Sequence, residues 1–415
     1  MLGEALMSDG ALDRTPRGER LHVAILGRRN AGKSSLINAL TNQAIAIVSP
    51  VPGTTTDPVY KSMEILPIGP VVLIDTAGID DTGDLGQLRI KKTLDVLDKA
   101  DLLVLTLDPG QEQGDYEADL IDQAKKRGLP VVGALNKMDL YPELKPDAKK
   151  TSPDPDSGKL GIPVIPVSSL TLQGMEELKE AIIKAAPQEW SSPTILGDLI
   201  QAGDTVILVT PIDDSAPKGR LILPQVQTIR DILDNNACAL VVQSRDLSQT
   251  WNNFKTKPKL VITDAQVFAD VAGTLPPDVH LTAFSILFAR YKGELESLVA
   301  GASAIEGLKP GDRVLIAEAC THHRVGDDIG TVKIPQMLRQ RIGGELDFQW
   351  ASGNTLPDDL TGFKLIIHCG ACMINRKQML SRIALAKAAG VPMVNYGVLI
   401  AFMKGILQRA LTPFR

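Results

Sequence analysis

A glycine-rich loop near the start of the chain limits the fold more than any other feature. The apolar run Val23–Leu26 predicts a strand, GRRNAGKS follows at 27–34, and an amphipathic helix pattern comes next. In this strand–loop–helix context, backbone N–H groups close around phosphates, Lys33 reaches the β- and γ-phosphates, and the Ser34 hydroxyl binds Mg²⁺. The predicted nucleotide-binding residues of this loop are Gly27, Asn30, Ala31, Gly32, Lys33, Ser34 and Ser35.

Two later segments supply the metal shell and the switch that such a site needs. The buried-strand pattern VVLID ends at Asp75, whose carboxylate can hold the Mg²⁺ shell, and the N–H of Gly78 can contact the γ-phosphate. Between these motifs, SPVPGTTTDPVY is the expected place for a mobile switch whose threonine closes on Mg²⁺. Ile79, not glutamine, follows Gly78, so hydrolysis should be slow unless a cation or partner supplies charge.

A third motif selects the base. The strand pattern VVGAL leads to Asn136, Lys137 and Asp139. The Asp139 carboxylate can accept hydrogen bonds from N1–H and the 2-amino group of guanine, which adenine does not offer. VIPV leads to Ser168 and Ser169, a weaker match to a loop that caps guanine O6. This order of strands and motifs predicts a GTPase with a doubly wound α/β sheet and its ligand at the strand carboxyl ends.

The loop residue Asn30 and the GTT sequence at 53–55 resemble the potassium-dependent GTPases of the TrmE-Era-EngA group. The resemblance implies that Thr55 is the Mg²⁺ threonine and that Asn30 helps to hold K⁺ beside the phosphates. Thr56 departs from the arginine usual in that group, and Asn30 could instead be only a hydrogen-bonding loop residue. The catalytic residues implied are Lys33, Thr55 and Gly78.

Composition limits the rest of the chain. Its 415 residues, 44% of them hydrophobic, suffice for two or three globular domains. The net charge of −5, without a Lys/Arg-rich stretch, argues against a nucleic-acid partner. Residues 1–18 lack the apolar core of a signal peptide, and Lys404 and Arg409 interrupt the most apolar late stretch. We therefore expect a flexible lead and a cytoplasmic protein that does not enter a membrane.

An internal repeat follows the Pro/Ser-rich linker at 186–194. GDTVILV at 203–209 recurs as GDRVLIA at 311–317, each followed by a polar loop, a glycine, an apolar segment that we predict as a strand, and Pro-Gln. KLVITDAQV (259–267) pairs with KLIIHCGAC (364–372), and FSILFARYKG (284–293) pairs with YGVLIAFMKG (396–405). These nearly constant offsets predict a duplicated α/β unit. The predicted domains are a GTPase domain at 19–186 and two smaller related domains at 194–276 and 279–415.

Three of the four cysteines fall in loops of the second copy. Cys320, with His322 and His323 nearby, replaces Ile212 of the first copy, and the pair His368-Cys369, followed by Cys372, replaces Thr263-Asp264. The fold itself therefore does not need these thiols, and we expect them to converge at adjacent strand ends. Such a set can form a redox pair, hold tetrahedral Zn²⁺, or hold a [4Fe-4S] cluster with one iron left open. Cys238 has no such neighbour, and we predict that it fills the core.

From Leu21 onward, the chain resembles the HydF family of [FeFe]-hydrogenase maturation GTPases. The resemblance rests on the P-loop GTPase motifs, a middle domain, Cys-x-His, a gap at 323–367 and His-Cys-x-x-Cys. It implies that 194–276 is a dimerisation domain and that 279–415 binds a [4Fe-4S] cluster through Cys320, Cys369 and Cys372.

The same resemblance implies a role in assembling a metal cofactor. A homodimer or higher oligomer would receive a diiron precursor from radical-SAM maturases and deliver it to apo-[FeFe]-hydrogenase. His322, His323 or His368 could approach the fourth iron or could only shape the loop.

Two other functions stay open from the sequence. A ribosome- or tRNA-directed GTPase would share the first 180 residues, but it should append a basic RNA-binding module, which the acidic balance disfavours. A GTPase with a structural zinc domain would use the same cysteines.

Overall fold

The computed structural model describes residues 17–41, 59–75, 92–144, 160–187, 194–211, 221–319, 328–353 and 356–415. Two compact units, Met1–Ser191 and Ser192–Arg415, divide the chain. Within the described residues, no helix is both long and apolar enough to span a membrane. The predicted site residues outside these ranges are Thr55, Gly78, Cys320, His322 and His323.

The first unit is built on a six-stranded sheet in the order β2-β3-β1-β4-β5-β6. All neighbouring strands are parallel except β2 and β3, which are antiparallel. The strands are β1 (Leu21–Gly27), β2 (Val59–Ile65), β3 (Gly69–Asp75), β4 (Leu102–Leu107), β5 (Val131–Leu135) and β6 (Val164–Pro166). The helices are α1 (Lys33–Thr41), α2 (Asp115–Lys126) and α3 (Met175–Ala185), with a further helical segment at 92–97.

Apolar side chains cover both faces of this sheet. On β1, Val23 and Ile25 enter a core with α1 and α3, whereas Ala24 and Leu26 enter the opposite core with α2. A strand buried on both faces reads as a continuous apolar run, which is why the sequence pattern identifies it. The doubly wound α/β fold is confirmed, and the carboxyl ends of its parallel strands face one edge of the sheet.

The second unit contains two four-stranded sheets, in the orders β10-β9-β7-β8 and β12-β11-β13-β14. The first comprises β7 (Thr205–Val209), β8 (Cys238–Val242), β9 (Leu260–Thr263) and β10 (Leu281–Ala283). The second comprises β11 (Arg313–Glu318), β12 (Asp347–Ser352), β13 (Leu365–His368) and β14 (Met393–Asn395). The helices are α4 (Leu223–Asp234), α5 (Leu247–Asn253), α6 (Phe268–Thr274), α7 (Phe284–Lys292), α8 (Leu295–Ala302), α9 (Ile334–Ile342), α10 (Arg376–Ala388), α11 (Tyr396–Met403) and α12 (Leu407–Ala410).

The predicted duplication is present in the topology. In each sheet the first strand in the chain is central, the second lies at one edge, and the third and fourth continue on the other side, all in parallel. One detail of the prediction is wrong: the apolar segment before each Pro-Gln leads into a helix, not a strand. Proline stands in the first turn of both α4 and α9, where its fixed φ favours helix initiation.

The two copies pack as one compact unit through the equivalent helices α7 and α11. A continuous apolar core includes Ile207 of the first copy and Ile316 of the second. Ser285 of α7 faces Gly397 of α11, its equivalent in the repeat. A Cβ on Gly397 would lie 2.1 Å from the Ser285 Cβ, so the helices can approach this closely only at glycine. The division at 276–279 stays a prediction.

Candidate nucleotide site and candidate metal centre

The glycine-rich loop lies between β1 and α1 and is braced by its neighbours. Gly27 has φ +150°, and a Cβ there would lie 2.3 Å from the carbonyl oxygen of Thr106. A Cβ on Gly32, which has φ +91°, would lie 2.3 Å from Nδ2 of Asn136. These conformations and contacts require glycine at both positions. The buried Lys33 Nζ donates to the carbonyl oxygens of Gly27 (3.0 Å) and Arg28 (2.7 Å), which holds its ammonium over the loop.

The magnesium side of the site combines α1 with the end of β3. Ser34 Oγ donates to Asp75 Oδ2 at 2.8 Å, so two of the three residues predicted to bind Mg²⁺ meet. Hydroxyl and carboxylate oxygens are the ligands that Mg²⁺ takes beside substrate phosphates. Ser35 follows on α1 and is half-buried. The other predicted residues of this side, Thr55 and Gly78, lie outside the described residues.

The base side joins two loops at the ends of β5 and β6. Ser168 Oγ donates to Asp139 Oδ1 at 2.5 Å, and the N–H of Ser169 donates to Asn136 Oδ1 at 3.1 Å. Asn136 Nδ2 also donates to the Ala31 carbonyl oxygen at 3.2 Å. The weak sequence match at Ser168 and Ser169 therefore lies beside the motif it was expected to accompany.

Two contacts of this site were not predicted. Lys137 Nζ forms an ion pair with Asp108 Oδ2 at 2.7 Å. Arg28 binds Glu117 of α2 through two hydrogen bonds, of 2.6 and 3.0 Å, which ties the phosphate loop to that helix. Burial acts to raise the pKa of the Glu117 carboxyl, but hydrogen bonds from Arg28 and Gly114 hold it below its usual value. The sequence offered a signal only for Asp108, a carboxylate that follows the buried strand β4.

The candidate metal centre lies at the carboxyl ends of β11 and β13. These strands are parallel neighbours with Ala317 opposite His368. Cys369 follows β13 directly, and its N–H donates to the Ala317 carbonyl oxygen at 2.9 Å. The N–H of Ala319 in turn donates to Cys369 Sγ at 3.1 Å. Because Ala319 immediately precedes Cys320, the segment leading to Cys320 passes beside the sulfur of Cys369.

The loop after β13 positions the second thiol. Ala371, between the two cysteines, has φ +57°, an uncommon conformation for a residue with a Cβ. Both Cys369 and Cys372 are half-buried free thiols. Burial raises the pKa of each thiol above its usual value. Among the described residues, no three metal-ligating side chains converge, and Cys320, His322 and His323 lie outside that part of the chain.

His368 is placed differently from a metal ligand. Its ring is fully buried, Nδ1 lies 2.8 Å from the Cys369 carbonyl oxygen, and Nε2 lies 2.6 Å from Nη1 of Arg382. The carbonyl can only accept and the guanidinium can only donate, so these contacts assign a neutral ring with its proton on Nδ1. Burial, assisted by the charge of Arg382, lowers the pKa of His368 to about 3. Both ring nitrogens are thus engaged within the protein.

Arg382 extends this buried network to the residue that follows the edge strand β12. It is 4% exposed and also donates from Nη2 to the Gly353 carbonyl oxygen at 2.7 Å. Sequence reasoning missed this residue because it lies on α10, with nothing in its local pattern to mark it as buried.

Cys238 corrects another sequence prediction. It is exposed, not part of the core. It begins β8, an edge strand of the first four-stranded sheet, where alternate side chains face outward. An apolar pattern alone does not reveal that a strand lies at an edge.

Three known protein families match separate parts of the chain. Residues 22–137 match the family described as 50S ribosome-binding GTPase. Residues 195–293 match the Hydrogen maturase F dimerization domain, and 296–413 match the Hydrogen maturase F tetramerization domain. The last two matches together cover more than half of the chain.

Other similarities concern only the first unit. The tRNA modification GTPase MnmE of Bacillus subtilis is 35% identical over 165 residues, covering 40% of this chain and 34% of that protein. The MnmE protein of Thermoanaerobacter sp. is 39% identical over the same coverage. The chain thus spans about a third of the length of these relatives. The G domain of the T. maritima FeoB iron transporter aligns with a TM-score of 0.30 and 30% identity, covering 40% of this chain and 98% of that one. With a GTPase domain followed by both characteristic domains of hydrogen maturase F, the chain belongs to the HydF family of hydrogenase maturation GTPases.

Proposed function

We propose that this GTPase is a scaffold that holds a [4Fe-4S] cluster on Cys320, Cys369 and Cys372 and delivers a diiron precursor to apo-[FeFe]-hydrogenase. The observation that carries the proposal is the hydrogen bond from the Ala319 N–H to Cys369 Sγ, at 3.1 Å. It brings the segment that leads to Cys320 against the first thiol of the Cys-x-x-Cys loop. Two strand-end loops that lie 50 residues apart in sequence would thereby contribute to one site, as parallel strands joined by a crossover connection allow.

The donor set fits a cluster with one open iron. Three thiolates would hold three irons, and both nitrogens of His368 are already engaged with Cys369 and Arg382. A hydrogen bond from a backbone N–H to a cysteine sulfur, as Ala319 provides, is a feature that tunes such clusters. When bound, the cluster would supply an iron with an exchangeable ligand, where a diiron precursor could attach.

The partners follow from this role and from the family. Radical-SAM maturases would supply the diiron precursor, and apo-[FeFe]-hydrogenase would accept it. The family domains at 195–293 and 296–413 support a homo-oligomer. We place this assembly in the cytoplasm, without a nucleic-acid or membrane partner.

The experiment that tests the cluster compares cysteine variants of the full chain after anaerobic reconstitution with iron and sulfide. We expect broad visible absorption and about four irons per chain in the wild type. Cys369→Ala and Cys372→Ala should lose stable iron binding but keep GTP binding, because the nucleotide site lies in the other compact unit. The matched control is Cys238→Ala, which removes an exposed thiol.

A structural zinc site is the alternative outcome of the same experiment. Zinc bound by thiolates gives a colourless protein, whereas an iron–sulfur cluster is brown. Stoichiometric zinc without iron, or iron retained in Cys369→Ala, would contradict the proposed site.

We also propose that K⁺ stimulates a slow intrinsic GTP hydrolysis through Asn30. Asn30 is exposed within the phosphate loop and has φ +60°, a conformation for which asparagine is enriched. A cation beside the transferring phosphoryl group would stabilise charge as an arginine finger does. Hydrolysis should be faster in KCl than in NaCl, and Asn30→Ala should remove the difference. Equal rates of wild-type hydrolysis in the two salts would exclude this role.

A further inference from the structure

Two equivalent lysines cross between the copies of the repeat. Lys292 ends α7, and Lys404 occupies the same position after α11. Lys292 Nζ donates to the carbonyl oxygen of Ile374 at 3.3 Å, in the loop after β13. Lys404 Nζ donates to the carbonyl oxygen of Gln266 at 3.2 Å, in the loop after β9. Each copy thus sends a lysine to the strand-end loop of the other.

The surroundings of the two lysines differ sharply. Lys292 is 2% exposed, whereas Lys404 is exposed to solvent. Water and salt screen the charge of an exposed group, whereas a buried charge is screened much less. The charge of Lys292 therefore acts on its surroundings more strongly than the charge of Lys404.

The loop that Lys292 reaches is the one that carries the thiols. Ile374 lies two residues after Cys372, whereas the loop reached by Lys404 follows Asp264 and contains no cysteine. The Lys292 ammonium, 3.3 Å from the Ile374 carbonyl oxygen, therefore lies beside the loop that holds Cys372.

We propose that Lys292 is a positioning residue that supplies a buried positive charge to the anionic metal–thiolate group held by Cys369 and Cys372. The proposal rests on the proposed cluster site and adds to it a residue from the preceding copy of the repeat. The metal centre in the second copy would then depend on a positive charge from the first copy.

The charge has a measurable consequence for a cluster at this site. A [4Fe-4S] cluster on three thiolates carries one net negative charge when oxidised and two when reduced. A nearby buried cation stabilises the reduced form more than the oxidised form, because attraction grows with the charge of the anion. Removing the cation should make the cluster harder to reduce.

The test is a redox titration of the reconstituted full chain, followed by electron paramagnetic resonance of the reduced cluster. In Lys292→Met, the ratio of reduced to oxidised cluster at the wild-type midpoint should fall about tenfold, which corresponds to about 59 mV for one electron. Lys292→Arg, which keeps the charge, should restore most of the ratio. The matched control Lys404→Met should titrate like the wild type.

The possible outcomes distinguish a failure of the role of Lys292 from a failure of the cluster assignment. A cluster in Lys292→Met with the wild-type midpoint would overturn the role of Lys292 while leaving the cluster assignment intact. A wild-type chain that forms no cluster would overturn both. If Lys292→Met does not fold, Lys292→Gln provides the same test, because it can still donate to the Ile374 carbonyl but carries no charge.

Discussion

The two four-stranded sheets share one topology but differ at the end of their third strand. β9 ends in Thr263, followed by Asp264, and β13 ends in His368, followed by Cys369. Asp264 accepts a hydrogen bond from Gln225 at 3.0 Å, which is an ordinary loop contact. Cys369 instead accepts from the N–H of Ala319 through its sulfur. The same sheet topology thus carries an ordinary loop in the first copy and a candidate metal centre in the second.

The side chains behind these positions show what the second copy needs in addition. The Thr263 hydroxyl is buried and has no hydrogen-bond partner among the residues that the structure describes. His368 occupies the equivalent place and is bonded on both ring nitrogens. The second copy therefore has a buried polar network behind the cysteine loop, whereas the hydroxyl at the equivalent place in the first copy has no partner among the described residues.

Substitutions at His368 and Thr263 should have clearly different effects on stability. In the metal-free chain, His368→Leu should lower the free energy of unfolding by about 3 kcal/mol, because it removes a partner from the buried Arg382 guanidinium. Thr263→Val should be nearly neutral or slightly stabilising, since it removes a hydroxyl without a partner. Urea unfolding followed by tryptophan fluorescence measures both changes, and equal losses in the two variants would contradict the assigned network.

The contribution of His368 to stability should depend on pH. The pKa of His368 is about 3 in the folded chain and about 6.5 when unfolded, so between these pH values the unfolded state binds one more proton. The free energy of unfolding should therefore fall as pH decreases below 6.5, by about 1.4 kcal/mol per pH unit from this residue. Urea titrations of the metal-free chain between pH 7 and pH 5 test this slope. It should be shallower in His368→Leu, and an unchanged slope would argue against a buried neutral imidazole.

The smallest expected difference concerns the helices that follow the fourth strands. Asn395 caps α11 by accepting from the Val398 N–H at 2.8 Å, whereas α7 begins after Ala283 without a side-chain cap. Asn395→Ala should cost about 1 kcal/mol of unfolding free energy, and Asn395→Ser should recover part of it, because serine retains an acceptor oxygen. Thermal unfolding of the three chains measures the effect. Identical stability of the alanine variant and the wild type would mean that the cap contributes nothing.

The sequence patterns predicted those parts of the molecule that depend on local order. The glycine-rich loop, the strand that ends in Asp75, the strand that precedes Asn136, and the repeat can all be recognised in the sequence because each motif is contiguous or recurs at a nearly fixed spacing. A parallel α/β arrangement then brings the strand ends together. Topology could be inferred because regular secondary structure has a clear period.

The sequence could not reveal contacts that depend on which elements pack together. Lys292 and Lys404 align in the repeat, yet only the structure shows that one is buried and the other exposed. The same holds for Arg382, whose helix carries it beneath His368. Cys238 was misassigned because an edge strand and a central strand have similar apolar composition.

The contact between Ser285 and Gly397 has a consequence for how the two copies can change. Because these residues occupy the same position in the repeat, their meeting places them on the local two-fold axis that relates α7 to α11. Residues on the axis of a symmetric dimer face their own copies and must be complementary to themselves. Here the two positions belong to one chain, so one can be serine because the other is glycine. Enlarging either residue requires space from its counterpart, and the duplicated halves cannot diverge independently at this point.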